Sequence, residues 1–229
     1  MEGNYILIVT AGGIGRRFCK PYPKQFEKIG DKRLIELTLG FFSKIKPQYC
    51  VLTYPGDFKK ECEYLTNYFS FPVYLVKGGN ERFHSVKNAI DFIYEKEEDK
   101  SKVVIVHDGV RPFLNLEVVK KIIEKTAETG CAVPFIPISG TVRRLNDDGF
   151  YETLIRKDLV TVTTPQGARL GILKDCFDKS NIFYTDESTM LTEFGYNPYP
   201  IKDWHFNIKI TEPEDKETAE MLVKLLQTE

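Results

Sequence analysis

Tyr5-Ile6-Leu7-Ile8-Val9-Thr10-Ala11-Gly12-Gly13-Ile14-Gly15-Arg16-Arg17, continued by Phe18-Cys19-Lys20-Pro21-Tyr22-Pro23-Lys24-Gln25, decides how this chain reads. The aliphatic and aromatic run from Tyr5 to Val9 suits a strand buried on both faces. Gly12, Gly13 and Gly15 free the next turn, so that backbone N–H groups approach an anion closely. Arg16, Arg17, Lys20 and Lys24 follow at once, and such cations offset the charge that collects when one phosphate is attacked and another leaves. A tight turn with a solvated basic face explains the same glycines and cations equally well. Two familiar phosphate loops fail on spacing: G-x-x-x-x-G-K-[ST] is absent, and Phe18 stands where a dinucleotide fingerprint needs its third glycine.

The 229 residues carry 32 Lys and Arg against 33 Asp and Glu, a formal net charge of -1. Nothing global therefore favours nucleic acid or an anionic membrane, and any anion site is local. With 42% hydrophobic and 28% charged residues the chain supports one sizeable core, and a single domain over 1–229 is expected. Cys19, Cys50, Cys62, Cys131 and Cys176 are odd in number and scattered without a C-x-x-C pair. That argues against a disulfide framework or structural zinc and for a reducing cytoplasm. The N-terminus lacks a basic n-region, and its apolar run is too short for a signal peptide or membrane span.

Further along, apolar β-rich runs alternate with helical patterns, which predicts a mostly parallel sheet with helices on its faces. Residues 34–42 read as a helix, 49–53 as a strand, 57–69 as a helix and 73–76 as a strand, with 95–102 a charged surface loop. Gly78-Gly79 opens a turn before a helix carrying Val86, Ala89, Ile90 and Ile93. Free N–H groups and small polar side chains there fit a base or ribose, although from spacing alone an ordinary loop with a helix cap is the preferred reading. Val103 to Val106 leads into His107-Asp108, and a charged pair at the carboxyl end of a buried strand sits where ligands bind in open α/β sheets. Asp108 suits a magnesium ion or a substrate hydroxyl, with an ion pair to Arg111 as the structural alternative; His107 reads better as a satisfied core histidine.

Residues 132–136 read as a strand. Two alternating runs within 141–155, joined at Asp147-Asp148-Gly149, then make a hairpin. The hairpin interrupts the βα rhythm, so it is expected to project, and exposed hairpin edges tend to be covered by a partner chain. Thr163-Thr164-Pro165-Gln166 and Thr185-Asp186-Glu187 read in the first instance as caps. Residues 206–210 read as a short strand, and about 213 to 226 as a helix with Ala219, Leu222, Val223 and Leu226. Lys209 among apolar neighbours would be expensive to bury without an anion, which points to a phosphate.

Six motifs together resemble one family. Ala11 to Arg17 with Pro23-Lys24-Gln25-Phe26 matches A-[AG]-G-x-G-x-R…P-K-Q-[FY]; Gly78 to Val86 matches G-G-x-x-R-x-x-S-V; and His107 to Phe113 matches H-D-[GA]-x-R-P-F. Thr164-Pro165-Gln166 and Thr185-Asp186-Glu187 match T-P-Q and T-D-[DE], and Asn207-Ile208-Lys209 matches the end of D-N-I-K. The chain thus resembles the CDP-polyol-forming nucleotidyltransferases, the 2-C-methyl-D-erythritol 4-phosphate cytidylyltransferase family. It departs at Asn80, where an acidic residue is common, and at Phe206, which replaces the Asp of D-N-I-K and touches the expected substrate pocket.

The resemblance implies a three-layer, Rossmann-like α/β fold of the nucleotide-diphospho-sugar transferase type, with a projecting hairpin arm at about 139–159 that crosses between subunits of a homodimer. It implies CTP over Ala11, Gly12, Gly13, Gly15, Gly79, Asn80 and Ser85, with Arg17 and Lys24 stabilising the pentacoordinate charge. Asp108, Arg111, Thr141, Thr164 and Thr185 would shape the polyol site, and Lys209 and the partner's Arg156 would hold the acceptor phosphate. Magnesium, contacted by Asp108, would bridge phosphates. The implied acceptor is 2-C-methyl-D-erythritol 4-phosphate. Ribitol 5-phosphate, or another polyol phosphate of a surface-polymer pathway, is the alternative acceptor, and an inactive nucleotide-binding scaffold is the alternative of another class.

Overall fold

The structure is a computed structural model and describes residues 3–13 and 22–226. Strand β1 (Tyr5–Thr10) shows why the first apolar run folds as it does: Tyr5, Leu7 and Val9 enter one hydrophobic cluster, Ile6 and Ile8 the other. A strand whose alternate residues all need burial has to lie between two layers. The first layer is α1 (Leu34–Phe42), the short α2 (Lys60–Glu63) and α4 (Leu116–Thr129). The second is α3 (Arg82–Lys96), α5 (Leu170–Lys179) and α6 (Glu187–Glu193). In α3 the buried Val86, Ala89, Ile90 and Ile93 follow helical spacing. α4 is bounded by Asn115, whose side chain accepts from Glu117 N and Val118 N, and by Gly130 at φ +95°.

Strands β4 (Tyr49–Tyr54), β5 (Val73–Lys77) and β6 (Val103–Asp108) join β1 in the parallel order β5-β4-β1-β6. Antiparallel β11 (Gln166–Arg169) separates β6 from β7 (Cys131–Pro137). β10 (Val160–Val162) and β12 (Tyr199–Lys202) also pair with β7. A small pairing of β2 (Lys28–Ile29) with β3 (Lys32–Arg33) shares a third apolar cluster with α7 (Asp215–Leu226). Among the described residues no helix is long and apolar enough to cross a membrane.

The expected three-layer fold stands, with local differences. The helix predicted over 57–69 is α2 followed by a 3-10 turn at Tyr64–Asn67. Residues 206–210 are irregular, and the strand of that region is β12, a few residues earlier. His107 and Asp108 belong to β6 itself. The hairpin forms as β8 (Val142–Asn146) and β9 (Gly149–Leu154) around Asp147-Asp148, with Gly149 at φ +114°. Among the described residues its strands pair only with each other, and Leu145, Phe150, Tyr151 and Ile155 are each more than half exposed.

Candidate active site

Thr10 and Asp108 end β1 and β6 side by side in the pairing register. From β1 the sheet grows to β4 and β5 on one side before the chain crosses to β6 on the other. The connections diverge at this switch point and open a crevice above the carboxyl ends of the strands.

One half of the crevice is walled by Ala11, Gly12 and Gly13, by Lys24, and by Gly79, Asn80 and Ser85. Buried Gln25 explains the local geometry, since its Nε2 donates to the carbonyls of Ala11 (2.5 Å) and Gly13 (3.1 Å). The P-K-Q turn thus pins the glycine loop while the preceding Lys24 lines the cavity. The two glycine turns meet backbone to backbone: a Cβ on Gly12 would stand 2.7 Å from Ser85 Oγ, and one on Gly78 would stand 2.8 Å from Gly12 Cα. Ser85 spends its hydroxyl locally, accepting from Gly79 N at 3.0 Å and donating to Glu81 O at 3.2 Å. It therefore shapes the turn. Lys24 also lies near Asp215: partial burial pushes that carboxyl up, but hydrogen bonds from Thr211 and Glu212, with Lys24 close by, bring it below its usual value. Gly15 and Arg17 lie outside the described residues.

The other half is walled by Arg111, Thr164, Gln166, Thr185 and Asp186, and both halves share Arg82, Asp108 and Lys209. Asp108 is the hub. Its Oδ1 is 2.9 Å from Arg82 Nε, and its Oδ2 is 2.9 Å from Lys209 Nζ and 3.4 Å from Arg111 Nε. Burial alone would raise this carboxyl, but Arg82, Lys209 and Arg111 hold it well below the usual range. Lys209 is 37% exposed and takes Asp108 as its anion, where the sequence pointed to burial against a phosphate. Arg82 and its partner Glu187, 2.7 Å apart, join this cluster; both stand in the motifs quoted above, which assign them no role. The signal was a charged residue at a fixed place in each motif.

β10 and β11 run along the same edge of β7, with a register shift at Thr163-Thr164-Pro165 that includes a cis Thr164–Pro165 peptide. Thr164 Oγ1 accepts from Asp108 N (3.1 Å) and pairs with His107 Nδ1 (2.9 Å), while His107 Nε2 faces the carbonyl of Arg111 (2.9 Å). A carbonyl only accepts, so Nε2 carries the proton and Nδ1 accepts from Thr164. His107 is a satisfied core histidine, and Thr164 holds β6 in place as well as lining the cavity. Asn207 is held by Asp203: Nδ2 donates to Asp203 Oδ2 (2.6 Å) and to Thr164 O (2.7 Å). Phe206 packs edge-on against Trp204, is 44% exposed, and is not among the residues lining either half. Thr141 and Arg156 are exposed and likewise absent from both linings; Arg156 donates to the carbonyl of Ser139 in its own chain.

Burial pushes the His107 imidazole down to about 4, against about 6.5 in an unfolded chain. The unfolded state binds more protons between those values, so this contribution is complete above about pH 6.5 and is lost as pH falls toward 4. Its size is on the order of 3 kcal/mol. His107→Gln keeps one donor and one acceptor and is expected to flatten the fall of Tm between pH 6.5 and 4. Equal slopes in variant and wild type would assign that fall to other groups.

Asp108 does not fit a resident metal site. Both of its oxygens face cations, and among the described residues no group of three or more His, Cys, Asp or Glu could hold a metal ion.

A family model described as 2-C-methyl-D-erythritol 4-phosphate cytidylyltransferase matches residues 5–225. The chain is 36% identical to the enzyme of that name from Clostridium kluyveri over 234 residues, covering 98% of each protein. To that from Thermosipho africanus it is 33% identical over 211 residues, covering 91% of this chain and 93% of the other. The crystal structure of the Francisella tularensis enzyme superposes with a TM-score of 0.81 at 29% identity, over 96% of this chain and 99% of the other.

Proposed function

The chain belongs to the 2-C-methyl-D-erythritol 4-phosphate cytidylyltransferase family, and from that premise we propose how its own residues carry the reaction. It is a CTP-dependent cytidylyltransferase that acts on 2-C-methyl-D-erythritol 4-phosphate in isoprenoid biosynthesis. An acceptor phosphate oxygen bonds to the α-phosphorus as the bond from that phosphorus to the β-phosphate's bridging oxygen breaks, and pyrophosphate leaves. The observation that carries the residue assignment is the Asp108 ion cluster, which lies between the glycine-walled half and the half walled by Arg111 and the threonines.

In this reading the triphosphate lies over Ala11 to Gly13 with Gly15, and Gly79, Asn80 and Ser85 frame the cytosine. Lys24 and Arg17 meet the charge that grows on the phosphates. The acceptor phosphate draws Lys209 from Asp108, while Arg111, Thr164 and Thr185 bound the polyol. Thr141 and Arg156 serve the site of a second copy, reached by the projecting arm in a two-fold dimer. Magnesium enters as part of the CTP substrate, carried by phosphate oxygens. The compartment is the reducing cytoplasm, in keeping with Cys50, Cys62, Cys131 and Cys176, which are buried and free.

Pyrophosphate release from a panel of nucleotides and acceptors tests this assignment. CTP is expected to exceed ATP and GTP by at least about tenfold in kcat/KM, roughly 1.4 kcal/mol, and 2-C-methyl-D-erythritol 4-phosphate to exceed ribitol 5-phosphate. Equal use of a purine triphosphate would contradict the base pocket, and failure of every acceptor on the panel to give release would leave only a nucleotide-binding scaffold.

A further inference from the structure

Arg82 opens α3 and Glu187 opens α6, and neither has a part in the chemistry described so far. Glu187 is 3% exposed, and its two oxygens receive Arg82 Nη1 at 2.7 Å and Nη2 at 2.9 Å. The Nε of the same guanidinium meets Asp108 Oδ1 at 2.9 Å, and on the far side of Asp108 stands Lys209. Lys209, Asp108, Arg82 and Glu187 therefore form a row of alternating charge across the junction of the two half-cavities. A guanidinium is a rigid plane, so a two-pronged hold on its terminal nitrogens fixes the direction of Nε. We infer that Glu187 is a positioning residue for the transfer reaction: through Arg82 it orients Asp108, and thereby sets where Lys209 waits for the acceptor phosphate. The inference rests on the roles given above to Asp108 and Lys209.

Charge arithmetic separates this role from packing. Arg82, Arg111 and Lys209 against Asp108 and Glu187 leave one net positive charge. Glu187→Gln raises it to two with little change of volume. The added charge does not weaken capture of a triphosphate, whereas the lost two-pronged contact lets Arg82 turn and Asp108 follow.

Steady-state kinetics of Glu187→Gln with CTP and 2-C-methyl-D-erythritol 4-phosphate should show kcat lowered about 10- to 100-fold, with KM for CTP within about threefold of wild type or below it. In an Arg82→Lys background, where the two-pronged contact is already absent, adding Glu187→Gln should cost less than about threefold. Glu187→Asp, which keeps the charge but shortens the reach, should show the same split and serves should Glu187→Gln fail to fold. A folded variant with kcat within threefold of wild type, or the same fold-loss in both backgrounds, overturns the inference. Wild-type enzyme that releases no pyrophosphate with this pair would instead overturn the reading of the site itself.

Discussion

Lys24→Ala is expected to lower kcat on the order of 10² to 10³-fold while changing KM for CTP far less. Lys24 begins the 3-10 turn Lys24–Phe26 and lines the half-cavity walled by the glycine loop. In the proposed role its charge matters most when the bond to the leaving pyrophosphate is breaking and negative charge on the phosphates is greatest. The backbone of the loop keeps its shape in the variant, because Gln25 still bonds the carbonyls of Ala11 and Gly13. Ground-state contacts to the triphosphate then largely survive, and the loss falls on the transition state. Lys24 is only half-buried, so the variant should fold normally, and purified protein at wild-type Tm makes the kinetics interpretable. Unchanged kcat with weakened CTP binding would make Lys24 a ground-state grip.

The layers of the fold were legible because burial wrote them into the sequence. Tyr5 to Val9 is apolar at every position, as a strand covered on both faces must be, and Val86, Ala89, Ile90 and Ile93 keep helical spacing. Local chemistry sufficed for the hairpin too, where Asp147-Asp148-Gly149 sets the turn. Residues 206–210 misled for a physical reason. Ile208 and Ile210 alternate as in a strand, but they pack into the α7 cluster while Asn207 is tied to Asp203 and Thr164. No single-residue pattern encodes that tie.

Site residues were legible as identities more than as partners. Asp108 stood out at the end of its strand, yet Arg82, Lys209 and Glu187 lie 26, 101 and 79 positions away from it in the chain and meet only through the crossover. Thr164 looked like a substrate contact and proved to hold β6 as well, because its hydroxyl completes the His107 network. Such a double use is decided by which way a side chain points, and the motif alone does not carry it.

The second large effect concerns the arm, and with it the claim that each site is built from two chains. Leu145, Phe150, Tyr151 and Ile155 are apolar and exposed on an element whose strands, among the described residues, pair only with each other, a surface that calls for cover. Arg156 follows this hairpin and lines neither half of its own chain's crevice. Lys24→Ala and Arg156→Ala homodimers should each turn over poorly, the second mainly through a raised KM for the polyol phosphate. The decisive measurement is pyrophosphate release after subunit exchange between the two variants, with heterodimer formation confirmed by mass spectrometry. Half the dimers then mix, and each holds one site with Lys24 from one chain and Arg156 from the other, so activity should return to about a quarter of wild type. Mixed subunits that stay as inactive as their parents would place Arg156 in its own subunit's site or outside any site, and would contradict the shared-site account.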